Sequence, residues 1–222
     1  VSRADENYEV LIRMGDGIVP PPGSESSRPY SKFMSIYAAM CRYHMKTYGT
    51  TQRQIAAVCA KNHTHSVHNP YSQFRQPFTI EEVLAAPPIT YPLTLPMCAP
   101  LSDGAAAAIV CTEAGLKRIG ADKQRCIKVA ASVVRSFTSR PLERPELHIG
   151  HLAAKQAYEI AGLGPEDMHV AEVHDASAMG EIIQAENLGF VKFGEGGPAA
   201  ERGEFTIGGR LPINPSGGLE PK

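Results

Sequence analysis

The chain has 222 residues, 43% of them hydrophobic and 20% charged, the composition of a folded protein with length for one large domain or two small ones. Its 22 basic and 23 acidic residues leave a formal net charge of -1, so no basic surplus exists to draw nucleic acid or an anionic membrane, and an anionic ligand must be held locally. The five cysteines, Cys41, Cys59, Cys98, Cys111 and Cys126, are odd in number and contain no C-x-x-C pair. That argues against a disulfide framework or structural zinc and for a reducing compartment.

No apolar run approaches the roughly 20 residues that span a bilayer, and residues 1–8 lack both the basic and the apolar part of a secretion signal. The expectation is a soluble protein. The sequence has no initiator Met and stops just after a glycine turn, which suggests a piece of a longer chain.

Residues 20–29, rich in Pro, Ser and Gly, predict an exposed loop. From 31 to 48, Phe33, Met34, Tyr37, Met40, Cys41, His44 and Met45 recur at three- and four-residue spacing before Gly49, the pattern of an amphipathic helix. Thr50 or Thr51 can cap a second helix to about residue 61, with Ile55, Val58 and Cys59 inward. Thr79 with Glu82 forms a capping box for a short helix ending before Pro87.

After Pro100 the texture becomes α/β. The spacing predicts strands over 105–110, 127–134 and 169–174, and helices over 113–119, 148–160 and 178–188. Strands alternating with helices imply a largely parallel sheet covered on both faces.

Three places invite chemistry. His174, in Val173-His174-Asp175, sits where a predicted strand meets a predicted helix, the end of an α/β sheet at which ligands bind; a plainer reading makes it a satisfied polar residue, with Asp175 or Ser177 capping the next helix. Asn214-Pro215-Ser216-Gly217-Gly218 permits close backbone approaches. His63, His65 and His68 suggest a metal, but their spacing, with no acid or cysteine in support, matches no familiar zinc site, so no metal is expected. Cys98 has no identifiable base beside it, and packing is the expected role of all five thiols.

These segments, taken in order, resemble a known family. Tyr48-Gly49-Thr50-Thr51, Lys61-Asn62-His63, Asn69-Pro70-Tyr71-Ser72-Gln73-Phe74, Ser102-Asp103-Gly104-Ala105, Glu172-Val173-His174-Asp175, Leu188-Gly189-Phe190, Gly194-Glu195-Gly196, Gly208-Gly209 and Asn214-Pro215-Ser216-Gly217-Gly218 are similar to the thiolases, in particular the sterol carrier protein and archaeal branch. The likeness runs from about Met34 to the end.

The resemblance implies an α/β thiolase fold, two α-β-α-β-α halves with an inserted, mainly helical loop domain, here incomplete. Residues 1–100 would be the loop-domain insertion, 101–120 the last strand and helix of the first half, and 121–222 the start of the second. It implies an acyl-CoA C-acyltransferase that cleaves a 3-oxoacyl-CoA thiolytically or, in the opposite direction, joins acyl-CoA thioesters by Claisen condensation. Coenzyme A would be a substrate, with no further cofactor.

His174 falls where most thiolases have an asparagine that donates to an oxyanion hole, a role worth about 3 kcal/mol of transition-state stabilisation. Ser177 stands where relatives usually have Phe, which implies a larger or more polar acyl pocket. Met34, His44, Cys98, Ala99, Pro100, Ser177, Asn214, Gly217 and Gly218 are the candidate substrate and coenzyme A contacts, Ala99 through its backbone. The nucleophilic cysteine and a Gly-His-Pro motif are expected outside these residues.

Two alternatives stay open: a thiolase-like retro-aldol lyase acting on steroid or lipid side-chain CoA esters, which would favour Tyr at 174, and a non-catalytic thiolase-fold subunit. The resemblance also implies a homodimer, a small zinc-bearing OB-fold partner, and a cytoplasmic location, peroxisomal in a eukaryote.

Overall fold

The computed structural model describes residues 3–136 and 140–222. Its body is helical. After α1 (Arg3–Arg13) and a proline-rich connection, α2 (Lys32–Tyr48) starts where Ser31 Oγ accepts the Phe33 N–H and stops at Gly49, whose φ of 76° closes the helix. Thr51 and Gln54 form a reciprocal capping box at the start of α3 (Gln52–Ser66), and Thr79 and Glu82 form another for α4 (Ile80–Ala85), satisfying orphan N–H groups at each start.

A short antiparallel hairpin, β1 (Pro88–Thr90) with β2 (Leu93–Thr94), turns through the cis Tyr91–Pro92 bond and leads to a single 3-10 turn. Then come α5 (Glu113–Ile119), α6 (Ile149–Ala161), α7 (Ala178–Asn187) and α8 (Gly196–Glu201).

The core forms where α3 packs on α4, α7 and α8, with α2 also against α7. Ile55, Val58, Cys59, Val83, Met97, Met179, Ile182 and Phe205 are fully enclosed there. α3 is buried on nearly every side, including Lys61, Asn62, His63 and His65. It runs five residues past the predicted end at 61, where Lys61, Asn62 and His65 find hydrogen-bond partners inside and His63 packs edge-on against Phe78.

The helices expected from the sequence all form, with α1 and α8 in addition; the expected strands do not. Residues 105–110 and 127–134 form no strand, and 169–174 contributes only one parallel bridge, Ala171 to Ile213. The physical reason is pairing: a strand needs a hydrogen-bonded neighbour, and among the described residues none lies beside these segments. They are solvent-facing, with Ile127 91% exposed and Val134 94% exposed. Their apolar composition, alanine-rich over 105–110 and β-branched over 127–134, suits a buried environment that the described residues do not supply. No helix among the described residues is long and apolar enough to cross a membrane.

Candidate functional site

Two segments far apart in sequence meet at the mouth of a cavity of about 970 Å³. Cys98 bridges Ser177 in antiparallel fashion, and the Ala99 N–H donates to the Ala176 carbonyl at 3.0 Å. The 174–177 loop is thereby pinned along residues 98–100. His174, Cys98, Ala99 and Pro100 line the cavity with Met34, and its other walls are mainly apolar, including Phe33, Phe74, Phe78, Ile89 and Leu95. His174 is exposed, its ring free to meet a bound molecule.

The loop is held from behind by residues 212–218. Asn214 takes a left-handed φ of 52° and uses its whole side chain: Oδ1 accepts the Val173 N–H at 2.8 Å and Nδ2 donates to Glu181 at 3.0 Å. Ser216 donates through N–H and hydroxyl to Glu172, and the Leu219 N–H donates to Asp175 Oδ1 at 2.7 Å. Gly218 has φ +70°, and a Cβ there would collide with the Asp175 carboxyl; one on Gly217 would lie 2.7 Å from Ser66 Cβ. Asn214, Gly217 and Gly218 thus make their close approaches to the protein itself and do not line the cavity.

His44 also lies away from it. One ring nitrogen meets Thr50 Oγ1 at 2.6 Å and the other Glu186 Oε2 at 3.1 Å, so the side chain ties α2 to the start of α3 and to α7. Ser177 is fully buried, is not part of the cavity wall, and does not cap α7 through its side chain. Asp175 is no cap either; it belongs to a buried polar cluster.

That cluster centres on Asn62, whose Nδ2 lies 3.0 Å from each of Asp175 Oδ2, Glu181 Oε2 and Glu220 Oε1. Lys61 Nζ meets Glu181 at 3.0 Å and donates to the Ile213 carbonyl at 2.6 Å. All five side chains are at most 5% exposed. One ammonium among three carboxyl groups cannot balance them all, and burial disfavours the uncompensated charges.

Burial, with the Glu181 charge added, pushes Asp175 up to about 8 against the pull of the Leu219 N–H. Burial and then the charges of Asp175 and Glu181 push Glu220 well above the usual carboxylate range. Burial raises Glu181 as well, opposed by Lys61. The pair formed by Asp175 and Glu220 therefore keeps a proton at neutral pH.

The three histidines part company. On a helix, residues two apart point about 200° from each other, so His63 and His65 cannot grip one ion. His65 Nδ1 meets the Asn214 carbonyl at 2.9 Å while its Nε2 accepts the Ile207 N–H at 3.0 Å, which fixes a neutral tautomer. Burial, then the nearby Lys61 charge, pushes it down to about 4. His63 faces the cavity, and His68 is exposed beyond the helix end. No group of three possible metal ligands forms among the described residues.

The Thiolase C-terminal domain-like family matches residues 143–222. Sterol carrier protein 2 of Rattus norvegicus is 39% identical over 192 residues, covering 84% of this chain and 35% of the rat protein. Acetyl-CoA acetyltransferase of Methanothermobacter thermautotrophicus is 40% identical over 193 residues, covering 86% of this chain and 50% of the archaeal protein. The chain belongs to the thiolase family.

It spans about half the length of the archaeal thiolase, or less in the rat protein. A solved Ltp2-ChsH2(DUF35) aldolase shares the fold, with a TM-score of 0.66 at 23% identity, covering 98% of this chain and 55% of that one. As a member of the thiolases, the chain carries its α/β motifs in a helix-rich body.

The thiols split by burial. Burial pushes Cys98 up to about 12, helped by Glu220, and raises Cys41 and Cys59 too. Cys111 and Cys126 are exposed, contrary to the packing role expected of them. Sequence reasoning missed Glu181 and Glu220. Glu181 had a signal, a carboxylate among the apolar residues of α7 that face the core; Glu220 had none beyond its place after the paired glycines.

Proposed function

We propose that this chain forms the acyl-binding wall of an acyl-CoA C-acyltransferase of the thiolase type, which cleaves a 3-oxoacyl-CoA by thiolysis or joins acyl-CoA thioesters by Claisen condensation. The observation that carries the reading is the pinning of the His174 loop along residues 98–100 at an apolar cavity of about 970 Å³. Such a volume suits a flexible acyl-pantetheine arm.

In this reading a His174 ring N–H donates to the thioester oxygen as negative charge gathers on it. Because the loop backbone is already held by Asn214 and Ala99, the donor needs little reorganisation at the moment of reaction, which is the condition for strong electrostatic catalysis. Met34, Cys98, Ala99 and Pro100 would flank the chain of the substrate. Cys41, Cys59 and Cys98 are poor nucleophiles, since their raised thiols hold their protons at neutral pH.

A homodimer, a zinc-bearing OB-fold partner and a cytoplasmic or peroxisomal location belong to the same proposal, supported by the family alone. The lyase alternative is disfavoured by the histidine at 174, where the resemblance leads one to expect tyrosine in such enzymes.

The test is steady-state kinetics of the full-length protein on acetoacetyl-CoA and CoA. His174→Ala is expected to lower kcat by about 10² to 10³ with KM changed little, as for loss of one oxyanion donor. Wild-type turnover that survives the substitution unaltered would remove His174 from the mechanism.

A further inference from the structure

Helix α2 brings a phenol to the cavity wall. Tyr37 follows Met34 by three positions and Phe33 by four, and all three line the cavity, as residues so spaced share one helix face. Tyr37 is half-buried. Its hydroxyl makes no hydrogen bond to any described residue, yet it is not sealed from solvent as the unpartnered atoms of His63, Glu181 and Glu220 are. The phenol oxygen is thus free to meet a bound molecule.

Gly180, in the first turn of α7, sets this ring against the loop that carries His174. A Cβ at 180 would lie 3.2 Å from the His174 carbonyl oxygen, 3.3 Å from Asp175 Cα and 3.6 Å from Tyr37 Cε1, so the absent side chain leaves helix, loop and ring in one close junction. The ring is also held from its own side. α2 packs on α7, and His44 of α2 meets Glu186 of α7 at 3.1 Å. Burial, and then the Asp175 charge, raise the Tyr37 phenol above its ordinary value, so it holds its proton through neutral pH and can donate. Of the other polar side chains on the wall, Ser31 and Glu82 serve the caps of α2 and α4, and Tyr30 precedes α2 rather than lying on it.

We propose that Tyr37 is a catalytic residue, its hydroxyl donating a second hydrogen bond, beside that of His174, to the thioester oxygen as charge develops there. The proposal rests on the reading of the cavity as a thioester site and adds to it a donor from a different element. The phenol keeps its O–H throughout, so the charge is met by dipoles and no proton changes hands at this position. Donors on two elements that are packed together before substrate arrives need little reorganisation, and a phenol can serve an oxyanion in this way.

The experiment is steady-state kinetics of the full-length protein on acetoacetyl-CoA and CoA, with a melting temperature for every variant. Tyr37→Phe removes one oxygen and keeps the ring at the Gly180 junction. It is expected to lower kcat about 10- to 100-fold with KM moved less than about twofold, at or below the usual loss for one oxyanion donor. Because both donors serve one oxygen, Tyr37→Phe combined with His174→Ala should cost less than the product of the two single losses. Replacement of Tyr37 by 3,5-difluorotyrosine, which nearly keeps the shape and makes the phenol more acidic, should make kcat fall at a lower pH than in the wild type, a shift that a packing role would not produce.

An unchanged kcat in Tyr37→Phe, a rise in KM alone, single losses that multiply in full, or an unmoved pH profile in the fluorinated protein would overturn the assignment. The fluorinated protein decides the matter if Tyr37→Phe melts below the assay temperature. A normal Tyr37→Phe beside an impaired His174→Ala removes Tyr37 alone, whereas a His174→Ala protein that turns over like the wild type brings down the thioester reading, and the second donor with it.

Discussion

Residues 101–136 and helix α3 have comparable claims to be core on composition, yet one is almost wholly exposed and the other almost wholly enclosed. The difference lies in where backbone hydrogen bonds come from. A helix completes its own ladder within a few residues, so α3 can form first and then collect neighbours. The runs at 105–110 and 127–134 can complete theirs only against other strands. Strand-forming composition states a requirement for partners; helix periodicity states a structure. α5 makes the point from inside the exposed region: it forms over the residues expected, capped by Thr112 and Gly120, without burying one side chain.

The comparison breaks most forcefully at the buried polar centre. In the 222-residue chain, Lys61→Met leaves Glu181 without its cation, and chemical denaturation is expected to report a loss of about 3–5 kcal/mol, the cost of stranding a buried charge. A loss under 1 kcal/mol would mean that α3 is not the enclosed element described here.

A smaller effect is expected with pH. The proton shared by Asp175 and Glu220 is bound more tightly in the folded chain than in the unfolded one, so the stability linked to it is complete at acid pH and is lost as pH rises towards about 8. His65 acts the opposite way: held neutral down to about 4, it favours the fold above the ordinary histidine value of 6.5 and loses that advantage only as pH falls. Between 6.5 and 8 the carboxyl pair acts alone, and stability should fall by about 2 kcal/mol, one proton over that interval. Glu220→Gln should flatten this slope; a rise with pH in the wild type would contradict the buried cluster.

The smallest effect belongs to the exposed region. Ile127→Thr or Val134→Ala should shift the stability of the same chain by no more than about 0.5 kcal/mol, as for surface positions without partners. A loss comparable to a core truncation, 2 kcal/mol or more, would show that these side chains are packed in solution.

How much was legible follows from the same logic. The caps at Thr51 and Thr79 and the stops at Gly49 and Gly120 act over three or four residues, and each stood where its spacing put it. His174 beside Cys98, Ala99 and Pro100 required a contact across more than seventy residues, and came from the order of family motifs rather than from local pattern. His44 was assigned to the substrate on the family resemblance alone, whereas its partners Thr50 and Glu186 hold it in the interior. The union of Asn62 with Asp175, Glu181 and Glu220 had no local trace at all.

That union has a consequence for the growing chain. Asn62 reaches its three acceptors across separations of 113, 119 and 158 residues. At a synthesis rate of about 5–20 residues per second, the ribosome needs roughly eight to thirty seconds after making this amide to deliver Glu220, the last of them. Until Asp175 and Glu181 are made, Lys61 and Asn62 have no buried partner and stay hydrated, so this part of α3 can enter the interior only after most of the described sequence has been synthesised.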